Sequence, residues 1–222
     1  MNKIISFSLY GNKPNFQVGA IVNTIEAKRI YPDWRCRFYT TDNNTVCEQL
    51  EYLGAEVVRM DDWPDGNMFW RFLAVDDADI CISRDVDSVV NEREAGAVRQ
   101  WLEDSEYQWH AMHDHRLHKK VSMMGGMWGY RHFGSNFPAS LAEKGAYFFD
   151  FRNGKTMRSL IEDWLNQDDG RNRQTVGRNW DQIFLGDAIV SGKSETNTLW
   201  HGGFGWPCNG LCEGWGFPPH DP

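Results

Sequence analysis

Long apolar runs are missing from this 222-residue chain. No stretch approaches the roughly 20 apolar residues of a membrane-spanning helix, so none is expected. A basic surplus is missing as well: 23 Lys and Arg stand against 31 Asp and Glu, a net charge of −8. A nucleic-acid backbone is therefore not expected as the main partner, because no cationic excess exists to displace counterions. Cysteine is sparse. The five residues, at 36, 47, 81, 208 and 212, are odd in number and scattered. That pattern does not read as a disulfide framework, and a reducing interior is the simpler home. Cys208 and Cys212 are open to pairing or to metal binding, but no second cysteine pair accompanies them, which argues against zinc. A secretory leader is not seen either. Met1-Asn2-Lys3-Ile4-Ile5-Ser6-Phe7 enters strand-like sequence at once, so a soluble, cytoplasmic protein is expected. With no repeat, low-complexity tract or linker in view, residues 1–222 are expected to form a single domain.

What is present begins with a strand that ends in acid. Ile80-Cys81-Ile82-Ser83-Arg84-Asp85-Val86-Asp87-Ser88 is an apolar, β-branched run closed by two aspartates one residue apart. Ligands of open α/β sheets gather where strands end. In an extended segment, positions i and i+2 face the same side, so Asp85 and Asp87 would converge. Two close carboxylates repel unless a cation separates them, and a hard divalent ion such as Mg or Mn suits such oxygen ligands. The plainer alternative is a polar turn after a strand.

The order of elements gives this strand its setting. Lys3–Leu9 reads as a strand, followed by the turn-rich Tyr10-Gly11-Asn12-Lys13-Pro14. Val18, Ile21, Val22 and Ile25 fall at helical spacing before Pro32. A strand at Arg37–Thr40, a helix entered from Asp42-Asn43-Asn44 and closed at Gly54, and a strand at 55–58 complete β-α-β-α-β. That order implies parallel pairing with crossover helices. Met68–Val75 is expected as a short helix, and Asn91 with Glu94 as a cap opening a helix to about Leu102. Further on, Tyr107–Met112 reads as a strand, and Met157, Leu160, Ile161 and Trp164 as a helical stripe. Another helix starts at Trp180, and the tail from Leu199 reads as irregular. Eleven tryptophans, with aromatics at 14%, suit sugar or base stacking as well as core packing.

Taken together, these residues resemble nucleotide-sugar-dependent glycosyltransferases of the GT-A fold. The resemblance rests on Phe7-Ser8-Leu9-Tyr10-Gly11, Trp70-Arg71-Phe72, Arg84-Asp85-Val86-Asp87-Ser88, Asp181-Gln182 and His201-Gly202-Gly203-Phe204, in that order. Within it, His113-Asp114-His115 and Gly125-Gly126-Met127-Trp128-Gly129 look like a short stand-alone subgroup. The resemblance implies an α/β domain with a mixed, mostly parallel sheet flanked by helices. Residues 1–90 would be its nucleotide-binding half and 91–222 its sugar- and acceptor-binding half.

It also implies an activity: transfer of a sugar from a nucleoside diphosphate sugar, UDP-linked first, to a glycan or other hydroxyl acceptor, with Mn2+ or Mg2+. Asp87 would be the stronger metal ligand, Asp85 its partner and a contact to the nucleotide, and His201 would complete the shell. Arg71 and Arg84 would assist at the phosphates, since a guanidinium fork fits phosphate oxygens. Tyr10 would meet the base. Asp114, His115, Gly125, Gly126 and Gln182 would contact the sugar, the glycines because only they let a backbone approach so closely. Asp181, opening a helix whose dipole would lower its pKa, would take the acceptor's proton; Asp114 is a second catalytic candidate. Two alternatives stand beside this reading. One is a metal-dependent phosphohydrolase or nucleotidyltransferase that adds His113, His115 and His118 to the aspartates. The other is a non-catalytic sugar- or nucleotide-binding module.

Overall fold

Seven strands form one sheet in the order β3-β2-β1-β4-β6-β5-β7 among the described residues. They are β1 (Lys3–Ser8), β2 (Arg35–Thr40), β3 (Glu56–Arg59), β4 (Ile80–Arg84), β5 (Trp109–His113), β6 (Met127–Arg131) and β7 (Thr198–Gly202). The computed structural model describes residues 1–11, 13–41, 45–113, 115, 118, 121–167, 177, 179–194, 197–202 and 208–210. Parallel pairing joins β3, β2, β1 and β4, and also β5 and β7. Among the described strands only β6 runs against its neighbours, β4 and β5. The expected mixed, mostly parallel α/β sheet is what forms.

Its helices are α1 (Pro14–Ile30), α2 (Thr45–Tyr52), α3 (Glu92–Glu103), α4 (Ala139–Glu143), α5 (Met157–Leu165) and α6 (Trp180–Phe184). The last runs on as a π-helical segment, Leu185–Ser194. One apolar cluster on the sheet joins Trp109, Trp128 and Tyr130 to Phe69, Phe72, Ile161, Trp164 and Phe184. The other joins Ile5, Phe7 and Ile82 to Ala20 and Ala27 of α1 and Val98 and Trp101 of α3. The sheet is thus covered on both faces, as parallel sheets require.

Three elements differ from expectation. The short helix expected at Met68–Val75 is a longer 3-10 helix, Pro64–Asp76. At three residues per turn, side chains at i and i+3 eclipse. Phe69, Phe72 and Val75 therefore stack in one column, each wholly buried. Trp70, one residue along, belongs to the column that meets Tyr39 and Tyr10. Helix α1 turns its face the other way from the apolar stripe: Val18 is 59% exposed and Ile25 50%. Its buried residues are Gly19, Ala20, Asn23, Thr24, Ala27 and Ile30, for a reason that lies in the site. Residues 199–202, expected irregular, belong to the edge strand β7, held by β5. The cysteines also divide: Cys208 is disulfide-bonded, while Cys36, Cys47 and Cys81 are buried outside any disulfide. Cys212 and the Asp42-Asn43-Asn44 cap lie outside the described residues.

Candidate active site at the end of strand β4

Strand β4 lies centrally between β1 and β6, so whatever follows Arg84 emerges at the middle of the sheet. Asp85 continues the alternation of Cys81 and Ser83 and turns to the face covered by the 3-10 helix. There Arg71 meets it, Nη1 to Oδ1 at 2.5 Å. The other arm of the guanidinium, Nη2, reaches Asp181 Oδ2 at 2.6 Å. Residues 71, 85 and 181 are thereby joined by one cation.

The backbone of Arg71 is clamped from below by two hydroxyls of β1. Ser6 Oγ donates to its carbonyl at 2.6 Å, and its N–H donates to Ser8 Oγ at 3.0 Å. Ser6 and Ser8 are both buried. Sequence reasoning passed over them, though two polar residues at i and i+2 in an apolar strand mark one face with a task.

The two carboxylates share a guanidinium but titrate in opposite directions. The Asp85 side chain is 42% exposed and that of Asp181 6%. Arg71 holds the Asp85 carboxyl below its usual range, against some desolvation. For Asp181, burial wins over Arg71, and the nearby Asp85 charge adds to it, so its pKa is raised. The expected lowering by the helix dipole is thus reversed: α6 spans only Trp180–Phe184, and desolvation outweighs a bond from the Gln182 backbone. Arg71 itself is held charged by Asp85 and Asp181 in spite of its burial. Its Nε has no hydrogen-bond partner among the described residues.

Gly125 and Gly126 close this group from the β6 side. A Cβ on Gly125 would stand 2.2 Å from Asp181 Oδ2 and 2.7 Å from Arg71 Nη2. One on Gly126 would stand 2.3 Å from Asp85 Oδ2. Only glycine fits at either place. The Gly125 carbonyl accepts from Ser83 Oγ at 2.8 Å and from Trp128 Nε1 at 3.1 Å.

Asp87 does not align with Asp85 by strand alternation. The chain turns after Asp85, with Ser88 N–H donating to the Asp85 carbonyl at 3.1 Å. Asp87 is exposed on that turn. Both aspartates, with Asp181, raise the pKa of the Tyr10 hydroxyl electrostatically, after burial and against Arg71. Tyr10 is half-buried, edge-on to Trp70 and Phe16. Arg71, Asp85, Gly125, Gly126 and Asp181 are thus in contact with one another, and Tyr10 lies within electrostatic reach of Arg71, Asp85, Asp87 and Asp181. Gln182 is half-buried beside Asp181.

Other residues of the expected set are placed elsewhere or otherwise engaged. Arg84 points to the opposite face, where Nη2 pairs with Glu94 of α3 at 3.0 Å and Nη1 donates to the Gly126 carbonyl at 3.1 Å. It ties α3 to the glycine loop. His201 is wholly buried on β7, with β6 and β5 between it and β4. Its Nε2 lies 2.8 Å from Gln100 Oε1 of α3, and its ring packs on His110. Burial pushes its pKa down to about 4. His113 is buried and stacks on Trp200. His115 is exposed and its ring lies 5.5 Å from that of His118. Among the described residues no three His, Cys, Asp or Glu side chains gather as a metal site. Asp114, Gly203 and Phe204 lie outside the described residues. A cleft of about 570 Å³ opens at the other end of the sheet, lined by Tyr31, Trp34 and Arg99 among others, and touches none of the expected site.

No protein-family model matches the chain, and no curated protein sequence does. Part of it is similar in structure to glucosyl-3-phosphoglycerate synthase of M. tuberculosis, with a TM-score of 0.40 and 15% identity. That match covers 59% of this chain and 57% of the other. Mannosyl-3-phosphoglycerate synthase from Rubrobacter xylanophilus gives 0.43 at 16% identity, covering 59% and 54%. A mannosyltransferase from Pyrobaculum calidifontis, solved with GDP-Man and Mn2+, gives 0.42 at 11%, covering 72% and 50%. The chain thus spans between half and three-fifths of the length of these solved structures.

Proposed function

We propose that the chain is a metal-dependent glycosyltransferase that moves a sugar from a nucleoside diphosphate sugar to an acceptor hydroxyl. The observation that carries it is the junction of Asp85, Arg71 and Asp181 at the end of β4, closed by Gly125 and Gly126. It sets a buried carboxylate of raised pKa beside a half-exposed one of lowered pKa, around one cation.

The donor set suits Mn2+ or Mg2+. Such ions use one or two carboxylates and take their remaining ligands from water and substrate phosphates. Asp85, half-exposed, and Asp87, exposed, are the two residues that would hold it. His201 is left out of the set because it is buried against Gln100 on another strand. When bound, the ion would neutralise charge on the departing diphosphate.

The chain's own residues do the rest. Asp181 accepts the proton of the acceptor hydroxyl as the new bond forms at the anomeric carbon and the bond to the diphosphate breaks. Burial suits it to that role, because a base of raised pKa accepts more readily. Arg71 keeps Asp181 oriented through Nη2, and its guanidinium would be a partner for a phosphate oxygen. Gly125 and Gly126, packed against Asp181, Arg71 and Asp85, would present their backbone to the donor sugar, with Gln182, His115 and Asp114 as further hydrogen-bonding partners. Tyr10 takes the base, with UDP as the first nucleotide to try. On this reading residues 1–90 bind the nucleotide and 91–222 the sugar and acceptor.

Calorimetry with UDP and GDP, with and without Mn2+, tests the proposal. Binding of at least one nucleotide that strengthens with Mn2+ is expected. No binding of either, with metal present, sinks it. Phosphate release without an acceptor would favour a hydrolase instead, and binding of free sugar irrespective of metal would favour a lectin-like module.

A further inference from the structure

We propose that Asn23 and Gly19 of α1 are positioning residues that fix the turn carrying Asp87, and so set the metal affinity of the site. This rests on Asp87 being a metal ligand.

Helix α1 buries a glycine and an asparagine where its sequence offers valine and isoleucine. Both buried residues touch the same loop. Asn23 is wholly buried. Its Nδ2 donates to the Val86 carbonyl at 3.1 Å, and its Oδ1 accepts from the Val90 N–H at 2.9 Å. One side-chain amide thus spans the segment from Val86 to Val90. Nδ2 also donates to the Gly19 carbonyl at 3.0 Å, which fixes the amide on its own helix. Gly19 brings the backbones together: a Cβ there would lie 2.2 Å from the Val86 carbonyl oxygen and 3.4 Å from the Asp87 Cα.

Val86 and Val90 are buried at the two ends of this segment, while Asp87, Ser88 and Val89 project into solvent between them. An exposed aspartate has no packing of its own to hold it. Its direction is inherited from the turn, and the turn is held by Asn23 from one side and pressed on Gly19 from the other. This arrangement also explains why α1 is rotated away from its apolar stripe. Supports that orient a metal ligand from behind are worth roughly 10–100-fold in metal affinity.

Two variants disturb the turn by different means. Asn23→Ser is too short to bridge Val86 and Val90. Gly19→Ala drives a methyl against the Val86 carbonyl, so the turn must shift, while the gain in helix propensity offsets part of the cost to the fold. Mn2+ is titrated in the presence of UDP by electron paramagnetic resonance. Melting temperature and amide exchange at Ser88 and Val90 are recorded for the same samples. Both variants are expected to remain folded, to exchange the Val90 amide faster and to weaken the apparent Mn2+ affinity about tenfold or more. Wild-type affinity in both variants, with or without faster exchange, overturns the role of Asn23 and Gly19 alone. Absence of Mn2+ binding in the wild type sinks the metal reading, and this role with it. If the variants lose Mn2+ only in proportion to unfolding, the residues are structural and the proposal fails.

Discussion

Arg71 neutralises two carboxylates at once, and removing it takes the ion-pair partner from both. Its side chain and that of Asp181 are 8% and 6% exposed. Breaking a buried pair from one side costs about 3–5 kcal/mol, so Arg71→Ala is expected to be destabilised by that order in urea unfolding. Asp87→Ala has the opposite profile. Asp87 is exposed, so the melting temperature should stay within a degree or two of the wild type while turnover is lost. A collapse of the fold would instead assign Asp87 a structural task. Asp181 adds a pH dependence. Its pKa is raised by burial, and a base must be deprotonated to work. The acidic limb of kcat/KM is therefore expected above the ordinary aspartate value of about 3.9, with activity falling as pH falls through it. A limb at or below that value would remove Asp181 as the base.

Helix α3 shows local chemistry acting as its sequence suggests. Asn91 is its N-cap, its side chain accepting from Glu94 N–H at 3.0 Å. Asn91→Ala should cost about 1 kcal/mol, read by thermal or denaturant unfolding. The same helix holds Glu94 against Arg84 at 3.0 Å and Gln100 against His201 at 2.8 Å, so it braces the glycine loop and the far edge of the sheet together. The 3-10 helix is the contrasting case. Its period of three puts Phe69 and Phe72 in the core and leaves Arg71 on another column, directed at Asp85 and Asp181. An α-helical spacing would rotate Arg71 relative to those phenylalanines.

Acid should destabilise the molecule through its buried histidines. Burial lowers the His201 pKa from 6.5 to about 4, and that of His110 well below 6.5. Between those limits the unfolded chain binds protons that the folded chain refuses, so stability is lost as pH falls from 6.5 towards 4. For His201 alone the full loss is about 3 kcal/mol. Asp76 acts the other way. Burial raises its pKa from 3.8 to about 6, so it retains a proton that the unfolded chain releases, and stability is gained as pH falls through that window. Burial lowers the pKa of His132 as well and raises that of Asp181, so three histidines stand against two aspartates and a net loss is expected. The melting temperature should drop between pH 6.5 and pH 4.5, and more steeply in Asp76→Asn, which removes one opposing contribution. A flat or rising profile would contradict the burial of these rings as neutral groups.

The alternation of β-branched runs with helical stripes settled the parallel half of the sheet, because period and turn residues act over a few neighbours. The Asn91 cap, the α5 stripe and the acidic end of β4 were legible for the same reason. The junction at Arg71 was not. It joins residues 71, 85 and 181, and which cation meets which carboxylate depends on how three elements pack. The direction of the Asp181 shift, the burial of His201 away from β4 and the inward turn of Asn23 also depend on packing. Each is set by desolvation or by contact between distant segments, and neither leaves a period in the chain. Local pattern chose the elements; burial in three dimensions chose which polar groups became a site.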